Sequence, residues 1–440
     1  MSAATGPEST GIDAARPPDR GAVAGGAPAT VDRAACAALD RADPLAPLRD
    51  AFTLPAGVVY LDGNSLGPPV AGVRERMAAA IDGAWGTGLI RSWNTAGWID
   101  APLRLGDKIA RLIGAPPGSV AVCDSTSVNV FKLVVAALRA RPDRGLIVTE
   151  GGNFPTDLYM AQGALDVLPG PRAIRYARGD AVVDAIDADT ALVMLTHVDY
   201  RSGRMHDMAA VTRAAHAAGA LVLWDLAHSA GAVPVDLAGA GADLAVGCTY
   251  KYLNGGPGAP AFLYVAPSIQ DALAPALSGW MGHAAPFAFD PRYTPAPGIR
   301  RHLVGTPPIL ALVALEAALE VWDRVDMAAV RAKSVDLTEL FVALVDARCA
   351  GHGLALASPR DAAVRGSQVA LAHPEAYAVM QALIARGVIG DFREPDVMRF
   401  GFAPLYVRHV DVWDAVEALR DVLATRAWDT PAYRTRAAVT

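Results

Sequence analysis

Lysine is scarce in this chain of 440 residues, which contains only Lys108, Lys132, Lys251 and Lys333 among its 39 lysine and arginine residues. The basic charge is therefore almost entirely arginine, and the formal net charge of the chain is −6. Proteins that bind nucleic acid typically carry an excess of basic charge, which this chain does not have. No nucleic-acid partner is therefore expected. Any lysine that takes part in chemistry must be one of these four.

Cysteine and long apolar runs are scarce as well. The cysteines Cys36, Cys123, Cys248 and Cys349 are widely spaced and form no C-x-x-C pair, so neither a metal site nor a disulfide framework is indicated. No uncharged apolar run reaches the ~18 residues of a membrane span. Residues 1–30 are rich in Ala, Gly and Pro and lack the apolar core of a signal peptide. We expect a disordered tail over 1–30, reduced thiols, a cytoplasmic location and no membrane partner.

Apolar segments typical of buried strands alternate with helical segments over the middle of the chain. The strand segments are SVAVC, GLIVTE, TALVMLTHV, ALVLWD and LAVGCTY, and the interleaved helical segments include VNVFKLVVAALRA, TDLYMAQGAL and MAAVTRAAHAAG. This alternation predicts an α/β fold whose sheet is mostly parallel and covered on both faces. Ligands of such sheets bind beyond the carboxyl ends of the strands.

A second, smaller α/β region is predicted near the C-terminus. The irregular segment from Leu277 to Thr306 leads into a densely apolar helix, ILALVALEAALEVWDRV, and strands SQVALAH and VMRFGFAP then alternate with two further helices. We predict an N-terminal segment over 31–85 that packs on the small domain, a large domain over 86–306 and a small domain over 307–440.

Polar residues cluster where the predicted strands end. The stretch DSTSVNVF places Ser125, Thr126 and Ser127 at a helix N-terminus, where free N–H groups favour a phosphate, although an ordinary helix cap has the same pattern. Asp225 ends the strand ALVLWD, and Lys251 stands between LAVGCTY and a glycine-rich turn. The other three lysines lie on predicted helices with no polar constellation around them, so Lys251 is the candidate for catalysis.

These three features together match the requirements of one cofactor, pyridoxal 5'-phosphate (PLP). PLP needs a lysine for a Schiff base, an acid beside its pyridinium nitrogen and a site for its phosphate. Asp225 could instead cap a turn, and Lys251 could be solvated. The order along the chain, first the turn of hydroxyl residues Ser125–Ser127 (the hydroxyl turn), then Asp225, then Lys251, indicates PLP more specifically than any one of these features does.

The chain resembles the kynureninases, which are fold type I PLP enzymes, from about Leu54 to Val422. The segments that carry the resemblance are YLDGNSLGPP, LIRSWN, FPTDLY, THVDYRSGRMHDM, WDLAHSAGAVPVDL, CTYKYLNGGPG, LSGWMGH, GTPPI and MRFGFAPLY. The resemblance implies a transferase-like PLP fold with a mostly parallel seven-stranded sheet in the large, PLP-binding domain. It also implies hydrolysis of L-kynurenine, or of its 3-hydroxy form, to anthranilate or 3-hydroxyanthranilate and L-alanine, in tryptophan catabolism by the kynurenine pathway.

The resemblance also implies a role for each matching residue. Lys251 would hold the cofactor, Asp225 would pair with its ring nitrogen, and Tyr250 would carry a proton at the ketone. The cofactor-binding residues would be Thr126, Ser127, Phe154, Asp157, Thr196, Asp225, His228, Tyr250, Lys251, Trp280 and Thr306. Trp280 and Thr306 would reach the cofactor from the partner subunit of a homodimer. The substrate-binding residues would be Arg399, Trp93 and Asn64.

Several alternatives stay open at this point. Arg399 would clamp the substrate α-carboxylate in bidentate geometry, but it could also form a surface ion pair. A class V aminotransferase or a cysteine desulfurase shares the fold, and a desulfurase would need a reactive cysteine, for which Cys349 is the candidate. A regulator that keeps the domain as a sensor would need a helix-turn-helix, which the proline-rich N-terminus does not supply. The sequence does not distinguish kynurenine from 3-hydroxykynurenine as the preferred substrate. Nor does it say whether the pathway served is tryptophan breakdown, anthranilate supply or NAD biosynthesis.

Overall fold

The computed structural model describes residues 31–436, so the tail predicted over 1–30 lies outside the described residues. The helices are α1 (Arg33–Ala42), α2 (Val73–Ala79), α3 (Ser92–Thr95), α4 (Ala101–Leu112), α5 (Thr126–Ala140), α6 (Pro155–Asp166), α7 (Met208–Ala217), α8 (Ile309–Trp322), α9 (Met327–Arg348), α10 (Ala376–Ile384), α11 (His409–Ala424) and α12 (Pro431–Arg434). The strands are β1 (Val59–Tyr60), β2 (Val120–Val122), β3 (Leu146–Glu150), β4 (Ala173–Ala177), β5 (Thr190–Thr196), β6 (Leu221–Asp225), β7 (Leu244–Gly247), β8 (Phe262–Val265), β9 (Ala355–Leu356), β10 (Gln368–Ala372), β11 (Val388–Ile389), β12 (Asp391–Arg393) and β13 (Val397–Gly401).

The large sheet has seven strands in the order β2-β8-β7-β6-β5-β3-β4, and β8 alone runs antiparallel to its neighbours. The strands β2, β5, β6, β7 and β8 are buried along their whole length, because helices cover both faces of the sheet. The helices α5 and α6 pack on one face, and α4, α7 and α8 pack on the other. This arrangement confirms the predicted α/β fold with a mostly parallel seven-stranded sheet.

A smaller antiparallel sheet, in the order β12-β13-β10-β9, lies in the C-terminal part of the chain. The N-terminal segment contacts this part, since β1 pairs with β11 in parallel and the Asp40 carboxylate accepts hydrogen bonds from the N–H groups of His409 and Val410 at 2.6 and 3.1 Å. Asp40 thereby caps α11, as an acid at a helix N-terminus does. The domain boundaries at residues 85 and 306 stay a prediction.

Several elements lie where none is predicted from the sequence, among them the 22-residue helix α9 and the strands β4 and β8 of the large sheet. The start of α9 does carry a signal, because Asp326 accepts a hydrogen bond from the N–H of Ala328 at 3.0 Å in the manner of an N-cap. Its buried residues Val330, Leu337 and Phe341 follow a helical spacing. Within residues 31–436, no helix is both long and apolar enough to cross a membrane.

Candidate active site

A cavity of about 230 Å3 opens where the central strands of the large sheet end and the small sheet approaches them. It brings together eleven of the residues predicted for the site, namely Asn64, Thr126, Ser127, Phe154, Asp157, Thr196, Asp225, His228, Tyr250, Lys251 and Arg399. The strands β5 and β6 end at Thr196 and Asp225, so these side chains project from the carboxyl edge of the sheet. The position agrees with the rule that ligands bind beyond the carboxyl ends of parallel strands.

Lys251 lies in a tight turn that follows β7. The turn is closed by a hydrogen bond from the Asn254 N–H to the Lys251 carbonyl at 3.0 Å, and the N–H of Gly67 bonds to the Tyr250 carbonyl at 2.8 Å. A Cβ atom on Gly67 would lie 2.3 Å from the Lys251 carbonyl oxygen, so only glycine permits this approach. The GNSLGPP turn of the N-terminal segment therefore fixes the backbone of the lysine.

The side chain of Lys251 meets a neutral histidine. The Lys251 Nζ atom is 3.0 Å from His228 Nε2. Burial, followed by the charges of Lys251 and Arg399, lowers the pKa of His228 well below its usual value. The imidazole is therefore neutral, and its hydrogen bond with the Lys251 Nζ atom orients Lys251 toward the cavity.

Two buried carboxyl groups, Asp225 and Asp157, face the cavity side by side. The Asp225 Oδ1 atom accepts a hydrogen bond from the Ala227 N–H at 2.9 Å. Burial raises the pKa of Asp225, and burial together with the charge of Asp225 raises the pKa of Asp157 well above its usual value. The pKa of Asp157 is raised further than that of Asp225, so Asp225 is the acid of the pair that ionises more readily.

The hydroxyl turn lies between β2 and α5. Ser125 is the N-cap residue, and its Oγ atom accepts a hydrogen bond from the N–H of Val128 at 3.3 Å. Thr126 and Ser127 begin α5 and line the cavity, and the hydroxyl of Thr126 is buried without a hydrogen-bond partner. The N-terminus of α5 thus presents both free backbone N–H groups and an unpartnered hydroxyl, a combination suited to an anion.

Arg399 is buried in β13 and is held by the neighbouring strand β12. Its Nε atom donates to Asp391 Oδ1 at 2.7 Å, its Nη2 group also donates to Asp391, and its Nη1 group donates to the Tyr200 carbonyl. Burial alone would lower the pKa of Arg399, but the hydrogen bonds and charge of Asp391 outweigh burial and raise it. The alternative of a surface ion pair is therefore wrong, since Arg399 is only 1% exposed.

Most N–H groups of the Arg399 guanidinium already have partners within the chain. Its Nε and Nη2 groups bind Asp391, and Nη2 also donates to Ser65 Oγ at 3.1 Å. A guanidinium has five N–H donors, so the Nη1 edge retains one for a ligand in the cavity. Arg399 thus makes a bidentate contact with Asp391, and Arg393 lines the cavity beside it. The binding of the substrate α-carboxylate by Arg399 stays a prediction.

Three predicted residues do not line this cavity of a single chain. Trp93 packs edge-to-face on Trp98 with ring centroids 6.0 Å apart. Trp280 is 40% exposed and packs on Phe287. Thr306 lines a separate small cavity beside β2. The assignments of Trp280 and Thr306 to the partner subunit, and of Trp93 to the substrate, stay predictions.

The expectation that the other three lysines lack polar surroundings is wrong, since each of them has an acidic partner. The ion pair of Lys108 is exposed. Lys132 is buried, and its ammonium lies 2.7 Å from the Asp124 carboxylate. Lys333 is buried against Asp43 at 2.7 Å. The packing of an apolar helix decides where its lysine lies, and the local sequence does not reveal that packing. The two buried lysines need an acidic partner to offset the loss of hydration.

Several residues of the site were not predicted. Ser65, Tyr200 and Arg393 line the cavity, and Asn153 Oδ1 accepts hydrogen bonds from Thr196 Oγ1 and from the Phe154 N–H. Ser65 directly follows Asn64 in the GNSLGPP turn, and Asn153 directly precedes Phe154. Proximity to predicted site residues was therefore a usable signal for both, whereas Tyr200 lies in a loop that only the fold brings to the cavity.

The fold and the lysine–acid cavity define a broad class, the fold type I proteins of α/β architecture. Among solved structures, the chain is similar to an apo cysteine desulfurase from Thermococcus onnurineus NA1, with a TM-score of 0.72 and 19% identity over 86% of this chain and 98% of that chain. It is also similar to a cysteine desulfurase from Escherichia coli, with a TM-score of 0.71 and 20% identity over 87% and 98% of the two chains. At these identities the likeness establishes the fold, and the predicted fold type is confirmed.

The particular family follows from the sequence comparisons. The chain is 59% identical to a kynureninase from Burkholderia pseudomallei over 92% of this chain and 98% of the relative. It is 55% identical to a kynureninase from Pseudomonas fluorescens over 92% and 99% of the two chains. A family model for the kynureninase C-terminal domain matches residues 330–419. The chain belongs to the kynureninase family, and the predicted resemblance is confirmed.

Proposed function

We propose that this chain hydrolyses L-kynurenine to anthranilate and L-alanine in the Lys251 cavity, with PLP as its cofactor. The observation that carries the proposal is that one cavity holds a lysine, a charged acid and a buried arginine, Lys251, Asp225 and Arg399. The names of the curated relatives support the same reaction. The activity belongs to the kynurenine pathway of tryptophan catabolism. The four free cysteines, all buried thiols, support a cytoplasmic location.

The residues present fit PLP. Six buried polar atoms of residues that line the cavity have no hydrogen-bond partner, namely Asn64 Oδ1 and Nδ2, Thr126 Oγ1, Asp157 Oδ2, His228 Nδ1 and Arg393 Nε. Buried polar atoms are nearly always satisfied in folded proteins, so unpartnered atoms gathered at one cavity point to a polar ligand. Thr126 and Ser127 would hold the phosphate, Asp225 would meet the ring nitrogen, and Phe154 would lie against the ring.

When bound, PLP supplies an electron sink for the electrons released at the substrate Cα. The Lys251 amine is the group placed to take the proton from Cα, and His228 keeps that amine oriented. Asp225 would meet the ring nitrogen as the more readily ionised acid of the pair, because the pKa of the neighbouring Asp157 is raised further.

Arg399 and Tyr250 would act on the substrate itself. The remaining Nη1 N–H of Arg399, with Arg393 beside it, is placed to bind the substrate α-carboxylate by charge-assisted hydrogen bonds. Burial, followed by the charge of Cys248 and then of Asp225, raises the pKa of Tyr250, so its hydroxyl keeps a proton to donate at the ketone oxygen. Hydrolysis then places the water hydroxyl on Cγ, as the carboxylate of anthranilate, and a hydrogen on Cβ, as the methyl group of alanine.

The test of the proposal is direct. Purified protein with PLP and L-kynurenine should produce anthranilate, which is followed by its fluorescence, together with an equal amount of alanine. A parallel assay with 3-hydroxykynurenine measures the preference between the two substrates. Alanine without anthranilate, or no product from either substrate, would contradict the proposal.

The cysteine desulfurase alternative loses its candidate nucleophile. Cys349 is 2% exposed, lies away from the Lys251 cavity in a pocket formed by α9 and β9, and has its pKa raised to about 11 by burial. A reactive cysteine is instead exposed and has a lowered pKa. The cysteine would also have to reach the substrate at Lys251.

Arg399→Lys should raise the KM for kynurenine by about 10-fold or more and also lower kcat, because lysine cannot hold Asp391 and the substrate carboxylate together. The absorption spectrum of the PLP-loaded variant should not change before substrate is added, since Arg399 is assigned to the substrate. Steady-state kinetics and the visible spectrum test this pair of expectations.

Arg365→Lys is the matched control for this prediction. Arg365 is also 1% exposed, and it donates to the carbonyls of Pro359 and Arg360 at 2.7 and 2.8 Å, outside the cavity. The control should lose stability without a change in KM. Unchanged kinetics in Arg399→Lys would mean that Arg399 does not bind substrate, and a changed spectrum would mean that it supports the cofactor.

We further propose a homodimer in which Trp280 and Thr306 reach the partner's site. An exposed aromatic cluster supports this, since Phe287 packs on both Trp280 and Phe289, and Phe287 and Phe289 are 65% and 80% exposed. Surface aromatic clusters of this kind are typical of protein interfaces. The apolar side chains of Trp85 and Ile90 are also exposed.

Two inactive variants, Lys251→Ala and Trp280→Ala, should restore about one quarter of wild-type activity when mixed in equal amounts and allowed to exchange subunits. Half of the dimers would then be mixed, and one site in each mixed dimer would have both residues intact. Lys251→Ala mixed with Arg399→Ala is the control and should recover nothing, because those two residues line the same chain's cavity. Equal recovery in both mixtures, or none in either despite proven exchange, would reject the shared site.

A further inference from the structure

Lys132 lies directly behind the turn that carries Thr126 and Ser127. Its side chain is 1% exposed, and its ammonium group contacts Asp124 Oδ2 at 2.7 Å, Asn129 Oδ1 at 3.1 Å and Cys123 Sγ at 3.6 Å. Helical side chains lean toward the helix N-terminus, which brings Lys132 of α5 back to the turn before the helix. The reaction as proposed above does not use this lysine.

The acid that Lys132 holds has an uncommon backbone conformation. Asp124 links β2 to the N-cap Ser125 and has a φ of 50°, in the left-handed region. That region is unfavourable for a residue with a side chain, although Asp tolerates it better than most when its carboxylate has a local hydrogen bond. The carboxylate is bound to Lys132, and the carbonyl of Asp124 accepts from the Ala261 N–H at 2.9 Å.

The surroundings of this ion pair make it strong. The ammonium is fully buried while the Asp124 side chain is 29% exposed, so water screens the pair less than a surface pair. The His302 side chain is buried, and burial followed by the charge of Lys132 lowers its pKa to about 3. His302 is therefore neutral and does not compete with Lys132 for the acid.

The geometry points to Lys132 as a positioning residue for the phosphate of the cofactor. Through Asp124 it holds the turn in the conformation that directs Thr126, Ser127 and the first N–H groups of α5 into the cavity. The inference rests on the proposed function, because the phosphate is that of PLP. Lys132 itself touches neither the phosphate nor the reacting atoms.

The test compares two ligands that differ only in the phosphate, PLP and pyridoxal, bound to the full chain. Lys132→Met, which keeps the length of the side chain without its charge, should raise the Kd for PLP by about 10-fold or more, in the range of one charge-assisted contact. The Kd for pyridoxal should stay within about 2-fold of the wild-type value, since no phosphate contact is lost. A general loss of stability would raise the Kd values for PLP and for pyridoxal alike.

Lys333→Met is the matched control, because Lys333 is also buried and paired with one acid, Asp43. It should lower the melting temperature without changing the ratio of the two Kd values. If Lys333→Met changed the ratio of the Kd values for PLP and pyridoxal as much as Lys132→Met does, the inference would be overturned.

Asp124→Asn provides the second, independent variant, which is useful if Lys132→Met does not fold. Because Lys132 is inferred to act through Asp124, Asp124→Asn should raise the Kd for PLP to a similar extent. The double variant should bind PLP no more weakly than either single variant does. Additive losses, or an unaffected Asp124→Asn, would overturn the inference. Wild-type protein that binds PLP no more tightly than pyridoxal would reject the phosphate site itself, and with it the proposed cofactor.

Discussion

Lys251→Ala should abolish kynurenine hydrolysis, with a loss of about 10⁴-fold or more, the upper range for removal of a general base. The variant loses both the amine that holds the cofactor and the base placed at the substrate Cα. The fold should remain intact, because the turn around Lys251 is held by the backbone hydrogen bonds of Tyr250, Lys251 and Asn254. Circular dichroism and the melting temperature check the fold while anthranilate fluorescence checks activity.

The covalent link gives this prediction a second readout. Borohydride treatment of the wild-type protein with PLP should fix the cofactor on the peptide that contains Lys251, and mass spectrometry should locate it. Lys108→Ala is the control, since Lys108 forms an exposed ion pair with Asp323 at 2.5 Å and should keep full activity. A reduced adduct on Lys108, Lys132 or Lys333 would remove Lys251 from the centre of the site.

The strand ends of the large sheet could be predicted because the signal is local. The segment LVLWD is a buried run that ends on an acid, and its neighbours end on Thr196 and on the turn of Lys251. In a parallel sheet the carboxyl ends of adjacent strands meet at one edge. The positions of Thr196, Asp225 and Lys251 at one cavity therefore follow from strand direction, with no knowledge of packing.

The closure of the cavity by the small sheet could be predicted only in part. Asp391 and Arg399 are paired across the antiparallel strands β12 and β13, and the residues Pro395 and Asp396 between them form a turn signal in the sequence. A hairpin there would have placed Asp391 opposite Arg399. The fact that this hairpin faces Tyr200 depends on the docking of the two sheets, which no local pattern encodes.

The N-terminal turn and the buried lysine show the same limit. Gly67 reaches the Lys251 carbonyl because β1 pairs with β11 across more than three hundred residues, Val59 with Val388. The burial of Lys132 depends on α5 being covered on nearly every side, and nine of its residues are buried. Both facts arise from tertiary packing, so the local sequence could indicate the elements but not these contacts.

Asp225→Asn should retain PLP but lose several powers of ten in kcat, each of which corresponds to about 1.4 kcal/mol of barrier. Asparagine has the size of the acid and can still accept the hydrogen bond from the Ala227 N–H. It cannot carry the negative charge that keeps a ring nitrogen protonated, so the electron sink is weakened. PLP retention is measured by the visible absorption of the purified variant, and turnover is measured with kynurenine.

The neighbouring acid allows the assignment to be tested within one site. Because Asp225 is the more readily ionised acid of the pair and is assigned to the ring nitrogen, Asp157→Asn should cost less activity than Asp225→Asn. A larger loss in Asp157→Asn would move the partner of the ring nitrogen to that residue. Near-normal turnover in Asp225→Asn would reject the role of the charge altogether.

Asp243→Asn separates an effect on the chemistry from an effect on the sheet. Asp243 precedes β7 and is also buried, and its Oδ2 atom accepts hydrogen bonds from the Val222 N–H at 2.9 Å and from His216 Nε2 at 2.8 Å. It lies at the amino end of β7, while Asp225 lies at the carboxyl end of β6. Loss of Asp243 should therefore lower the melting temperature and leave kcat unchanged, whereas loss of Asp225 should lower kcat at a nearly unchanged melting temperature. The two variants should differ in this way because Asp243 accepts a backbone hydrogen bond within the sheet, whereas Asp225 places a carboxylate in the cavity.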